Sequence, residues 1–201
     1  MDLHSGSSFR AVPVNRAGVR LLVDLCLAHV GSRKAVMITC KHFRTQFAIE
    51  RARYAAARGA SLLMLMPPYH GVSLNADAPS MLDHFGRIAD AAKISILVLN
   101  ALLSGVTLTM SFLVRLAREM PRFSYFNVEV PFAAAKPRTL TDAKGEAILG
   151  PFDGEEAITM MPDLDAGASA TMPGALLPDL LRPVIGHHTR GRRREAALPV
   201  N

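Results

Sequence analysis

Residues 94–114, ISILVLNALLSGVTLTMSFLV, hold no charged side chain and match the ~20 residues that cross a bilayer. Two readings compete: one membrane-spanning helix, or two buried elements joined by a turn. Asn100, Ser104, Gly105, Thr107, Thr109 and Ser111 interrupt the run. The β-prone ISILVL leads into a turn-like Ser-Gly pair and then into the helix-like MSFLVRLARE. The stretch therefore predicts a buried strand, a loop and the start of a helix. Strands of a parallel sheet are apolar on both faces, so two such elements in succession imitate a transmembrane span.

Outward from this stretch the same alternation repeats. Further β-prone runs stand at AVMIT (35–39), LLMLM (62–66), SYFNVEV (124–130), AIL (147–149) and ASATM (168–172). Helical spacing fills the intervals. At 18–29 it carries Val19, Leu22, Val23 and Leu27, and at 45–58 Thr45 reads as an N-cap while Phe47, Ile49 and Tyr54 sit among arginines. Further helices are predicted at 78–92, 110–119, 132–143, 155–161 and 175–189. Strands and helices alternating at about 25–35 residues per unit make βα units with right-handed crossovers, and hence a parallel sheet. No GxGxxG or GxxxxGK[ST] follows any strand, which leaves a dinucleotide or P-loop site without support and favours a barrel. Functional positions of a barrel lie at the C-terminal strand ends, here 39–43, 67–72, 100–105, 127–131, 150–155 and 172–174.

Composition narrows the class. The chain has 201 residues, 50% hydrophobic and 20% charged, enough for one sizeable core and incompatible with intrinsic disorder. Cys26 and Cys40 are too few for a disulfide scaffold and suit a reducing compartment. The N-terminal MDLHSGSSFRAVPVNRAG has no apolar core of a secretory signal, so the cytoplasm is the expected location. The net charge is +6, but Arg190, Arg192, Arg193 and Arg194 supply four of those charges, leaving +2 for the rest. No stacking aromatics accompany this cluster, so a solvated helix end is expected and nucleic-acid binding is not. The expected organisation is an N-terminal extension over 1–16, a β/α unit over 17–189 and a basic tail over 190–201.

Five ordered blocks carry a resemblance. ARGASLLMLMPPYHG (57–71), DHFGRIADAAKISILVLN (83–100), SGVTLTMSFLVRLAREMPRFSYFNVEVP (104–131), GPFDGEEA (150–157) and GASATMPGALLPDLLRPV (167–184) together resemble the dihydrodipicolinate synthase/N-acetylneuraminate lyase family. The resemblance runs from about Ala17 to Ala196. It implies a (β/α)8 barrel in which a lysine forms a Schiff base with a 2-oxo acid, for aldol addition, cleavage or dehydration, without metal or cofactor. The chain enters the family pattern at the helix after the second strand, so strands three to eight of the barrel are expected. The sheet edges at AVMIT and ASATM should then be open, which predicts a homo-oligomer, or a hetero-oligomer with an intact paralogue.

Departures from the family pattern bear on chemistry. The sixth-strand segment that holds the lysine in the family reads Tyr125-Phe126-Asn127-Val128-Glu129, with Asn127 at the lysine position. An amide nitrogen is not nucleophilic, because its lone pair is delocalised into the carbonyl. Lys136 and Lys144 fall on the next predicted helix and its end, where solvated lysines are ordinary. Leu99 stands before Asn100 where the family places an acid/base tyrosine, and the Gly-Thr-Thr-Gly-Glu carboxylate-binding loop has no counterpart. The resemblance makes Tyr69, His70, Asn100, Asn127, Glu129, Thr171 and Gly174 the candidate substrate-pocket residues, for a 2-oxo acid or sugar acid. Each has a plainer alternative. Tyr69 is as readily a packing or subunit-contact residue, Glu129 a carboxylate paired with an arginine, and Thr171 and Gly174 small filler. His42, His70, Glu129, Asp153 and Glu155 lack the tight spacing of a metal set, and no metal is expected. Two function classes follow: a lyase by descent, catalytically impaired by Asn127 at the lysine position, or a non-catalytic relative, either a binding or assembly subunit or a truncated gene relic.

Overall fold

Six short strands lie side by side in chain order, each parallel to the next: β1 (Met37–Thr39), β2 (Leu62–Leu65), β3 (Ile96–Ala101), β4 (Phe123–Glu129), β5 (Gly150–Asp153) and β6 (Ala170–Thr171). The computed structural model describes residues 15–68, 76–101, 106–129, 135–143, 147–154, 157–175 and 178–197. Helix α1 (Arg16–Val30) precedes β1. Helices α2 (Thr45–Ala57), α3 (Ala78–Ala92), α4 (Met110–Glu119), α5 (Ala135–Asp142) and α6 (Met160–Asp165) follow the first five strands, and α7 (Pro178–His188) and α8 (Arg193–Ala197) follow β6. A doubly wound sheet reverses its strand order at a switch point. This order never reverses, so the crossovers turn one way and stack helices on one face. The architecture is a partial (β/α)8 barrel of six strands.

Successive strand residues point to opposite faces, and both faces are apolar. On the helix side Leu63, Leu65, Ile96, Val98, Phe126 and Val128 pack with Phe85, Ile88, Leu113 and Leu116. On the inner side Met64, Met66, Leu97, Leu99 and Ala101 form a separate cluster with Met37, Tyr125, Phe152 and Met172. The described residues of the 94–114 stretch hold the expected strand and helix start: β3 is buried along its whole length, and α4 starts where Thr109 accepts the Phe112 N–H at 3.2 Å, while the Ser104-Gly105 turn lies outside the described residues. No helix among the described residues is long and apolar enough to cross a membrane.

Local propensity fails in three places. The AIL run at 147–149 is not a strand; β5 is the following GPFD, because Gly150 to Asp153 is the stretch that registers with Tyr125 to Val128. Pairing with a central strand overrides propensity even where Gly and Pro score poorly. The helix predicted at 155–161 lies at Met160–Asp165. Thr45 is the first residue of α2 rather than its cap: Arg44 precedes the helix without a side-chain cap, and the Thr45 hydroxyl instead meets His84 Nδ1 at 3.0 Å across the α2–α3 contact. Burial pushes His84 down to about 4.

Candidate functional site

The C-terminal ends of β3 and β4 bring the inner-face candidates together. Phe126 and Val128 belong to the helix-side core, so the alternate residues Tyr125, Asn127 and Glu129 face inward. Leu99 is in register with Asn127, and Ala101 with Glu129. Asn127 is fully buried, and its Nδ2 donates to Glu129 Oε1 at 2.9 Å. Its Oδ1 is buried without a hydrogen-bond partner among the described residues. Gly154, just past β5, leaves the room that Glu129 occupies, since a Cβ there would collide with Glu129 Cγ. The result is one amide–carboxylate pair at the rim of a floor of methionine, leucine and phenylalanine. None of the six strands carries a lysine.

Other candidates lie elsewhere. Asn100 faces the helix side and clasps the loop after β3: Nδ2 donates to the Leu108 carbonyl and Oδ1 accepts the Leu108 N–H, both at 2.9 Å. Thr171 also faces away from Asn127, because it pairs with Asp153 while the inner-face Phe152 pairs with Ala170. Its hydroxyl donates to Asp153 Oδ2 at 2.6 Å. Gly174 is exposed in the segment after β6. Tyr69, His70, Lys144 and Glu155 lie outside the described residues, as does the side chain of Lys136. His42 follows β1, stacks on Phe43 with ring centres 4.7 Å apart, and is held below its ordinary pKa by burial and by Arg51.

One cluster has no sequence signal. Behind the sheet, between β5, α6 and β6, Asp153 and Asp163 are both buried, at 1% and 0% exposure. The Thr159 hydroxyl lies 2.6 Å from Asp163 Oδ2 and 3.3 Å from Asp153 Oδ1. Burial, reinforced by the hydrogen bond with Asp163, pushes the Asp153 carboxyl up to about 7, while the Thr171 and Thr159 hydroxyls pull against that rise. A short acidic segment such as MPDLD reads in sequence as solvent-facing. Only the α6–β5 packing buries it. Among the described residues no group of three or more His, Cys, Asp or Glu is placed to hold a metal ion.

Fold and site define a β/α-barrel protein with its polar inner-face groups at the C-terminal strand ends. No family model matches the chain. Over 176 residues it is 41% identical to L-2-keto-3-deoxyarabonate dehydratase of Azospirillum brasilense, covering 88% of this chain and 57% of that protein. It is 30% identical over 79 residues to 4-hydroxy-tetrahydrodipicolinate synthase of Sphingopyxis alaskensis, covering 39% of this chain and 26% of that one. The 4-hydroxy-tetrahydrodipicolinate synthase structure from Methylacidiphilum fumariolicum superposes with a TM-score of 0.84 at 21% identity, covering 93% of this chain and 61% of its own. These relatives and folds fit a member of the dihydrodipicolinate synthase/N-acetylneuraminate lyase family, and the chain spans 57% of the length of its Azospirillum relative.

Proposed function

We propose that this chain is a lyase-family protein that receives a 2-oxo acid or 2-keto-3-deoxy sugar acid at the inner-face ends of β3 and β4 without forming a Schiff base. The observation that carries the reading is the juxtaposition of Asn127, Glu129 and Leu99. Where the family resemblance places a nucleophilic amine and a proton-shuttling phenol, this chain has an amide tied to a carboxylate and an aliphatic side chain. The amide and carboxylate are suited to hydrogen-bonding the hydroxyl and carbonyl groups of a sugar acid, which is recognition without covalent catalysis. The Azospirillum dehydratase supplies the substrate class. Borohydride reduction in the presence of pyruvate or L-2-keto-3-deoxyarabonate, followed by mass spectrometry, tests this. The expected result is no adduct on any residue at the strand ends. A stoichiometric adduct, with Lys41 after β1 the first site to check, overturns it.

The same barrel supports a second role, as an assembly subunit. Helix α1 exposes Leu21 at 58% and Leu25 at 57%, with Leu22 beside them, an apolar strip on the outermost helix at the β1 edge of the sheet. Sedimentation of the chain alone and mixed with an intact family member measures this role. A chain that stays monomeric in both conditions removes it.

A further inference from the structure

On the helix side of the sheet, away from Asn127 and Glu129, a cavity of about 170 Å³ opens between α1, α2 and the end of β1. Three guanidinium groups line it, Arg16, Arg20 and Arg51, against a single carboxylate, Glu50. Each arginine is already positioned. Arg16 lies 4.9 Å from the centre of the Phe47 ring and 3.2 Å from Glu50, Arg20 lies 5.0 Å from the Tyr54 ring centre, and Arg51 Nη1 donates to the Lys41 carbonyl at 2.6 Å. A guanidinium has five N–H donors, so these contacts orient the groups and leave donors over. The Tyr54 hydroxyl is engaged outside the cavity, donating to Asp24 at 2.7 Å.

Thr39 borders the cavity through its place on β1, but it is in register with the inner-face Met64, so its hydroxyl faces the other side of the sheet. The remaining walls are apolar, from Val19, Val23, Ile38 and Phe47. Cys40 also lines the space, but burial pushes its thiol up to about 12, so it offers neither a nucleophile nor a charge. Positive charge in excess and an apolar wall specify a ligand with a small anionic head and a compact apolar body. A bare inorganic ion fits poorly, because the apolar walls replace none of its hydration.

We propose that this cavity binds a small organic carboxylate, its head held by Arg20 and Arg51 and its body set against Val23, Ile38 and Phe47. The test is titration of the whole chain with benzoate, benzamide and inorganic phosphate, followed by amide-resolved NMR. Benzoate should shift the α1, β1 and α2 resonances and bind at least about tenfold more tightly than benzamide, the scale of one charge-assisted hydrogen bond. Arg20→Met, at an exposed position, should weaken benzoate by about the same factor. Val19→Phe, which fills the space from its half-buried wall, should abolish binding, with thermal melts confirming that both variants fold. Equal binding of benzamide and benzoate, binding of phosphate as tight as that of benzoate, or unchanged benzoate binding in folded Arg20→Met and Val19→Phe overturns the proposal.

Discussion

Asn127 and Asp153 occupy neighbouring strands at the same end of the sheet, and both are buried, yet they belong to different structures. Asn127 faces inward and its Nδ2 donates to Glu129, while its Oδ1 has no partner among the described residues. Asp153, in register with the next residue Val128, faces the helices and ends in a carboxyl pair with Asp163. One residue of strand parity separates a candidate ligand site from a structural cluster. The lesson extends to Asn100 and Thr171, which sequence position groups with the site and parity assigns to the helix side. Polar residues on the helix side should therefore govern stability, and those on the inner side should govern binding.

The largest expected effect is on the pH dependence of stability. A carboxyl raised to about 7 in the folded chain binds a proton that the unfolded chain has released, so its contribution falls as pH climbs from about 4 to about 7. His84, lowered to about 4, works in the opposite sense, because the unfolded imidazole stays protonated to higher pH. The two slopes offset in the native chain. Asp153→Asn removes the falling one, and its stability should gain on wild type by on the order of 1–4 kcal/mol between pH 4.5 and 7. His84→Gln removes a rising one and should lose ground over the same range. Urea denaturation at several pH values reads both. A difference between Asp153→Asn and wild type that does not vary with pH would remove the carboxyl pair from the comparison.

Asn100→Ala comes next. It leaves the buried N–H and C=O of Leu108 without partners and should destabilise the chain by about 2–4 kcal/mol in chemical denaturation. Binding of a sugar acid by the folded fraction should be unchanged. Thr171→Val removes one 2.6 Å hydrogen bond and should cost about 1 kcal/mol, again without effect on binding. A sugar-acid affinity that falls in either variant would return that residue to the site.

On the inner face the order reverses. Asn127→Leu removes a buried amide whose Oδ1 has no partner, and the stability change should stay within about 1 kcal/mol while sugar-acid binding, read by calorimetry, is lost. Asn127→Lys restores an amine without the phenol that would assist it, since Leu99 is its register partner. Groups that act as a unit are strongly non-additive, so turnover should not exceed that of a surface-lysine control. Turnover well above that control would show that the inner face is still organised for catalysis.

Much of the fold was legible in the sequence. The runs at 35–39, 62–66, 94–99 and 124–130 coincide with strands to within about two residues at either end, because buried parallel strands are apolar without interruption. β5 was not legible. GPFD pairs two poor strand formers with an aspartate, and the better local candidate, AIL, precedes it. The inner-face pair was legible too, since a spacing of two within a strand places Asn127 and Glu129 on one face whatever the register. Asp163 was not, because nothing in MMPDLD distinguishes a buried carboxyl from a solvated one until β5 is laid against α6.

The alternation of apolar runs with helical spacing, the absence of phosphate-binding loops, the ordered family blocks and Asn127 in the Tyr-Phe-Asn-Val-Glu segment were all determined by the sequence alone. Each is a local property of consecutive residues. Which face each strand end presents, the closure of the Asn100 clasp on Leu108, the burial of Asp153 against Asp163 and the arginine-lined cavity between α1, α2 and β1 were decided only by the tertiary structure. These depend on pairing between residues far apart in the chain, where register and helix packing rather than local propensity set the lowest free energy.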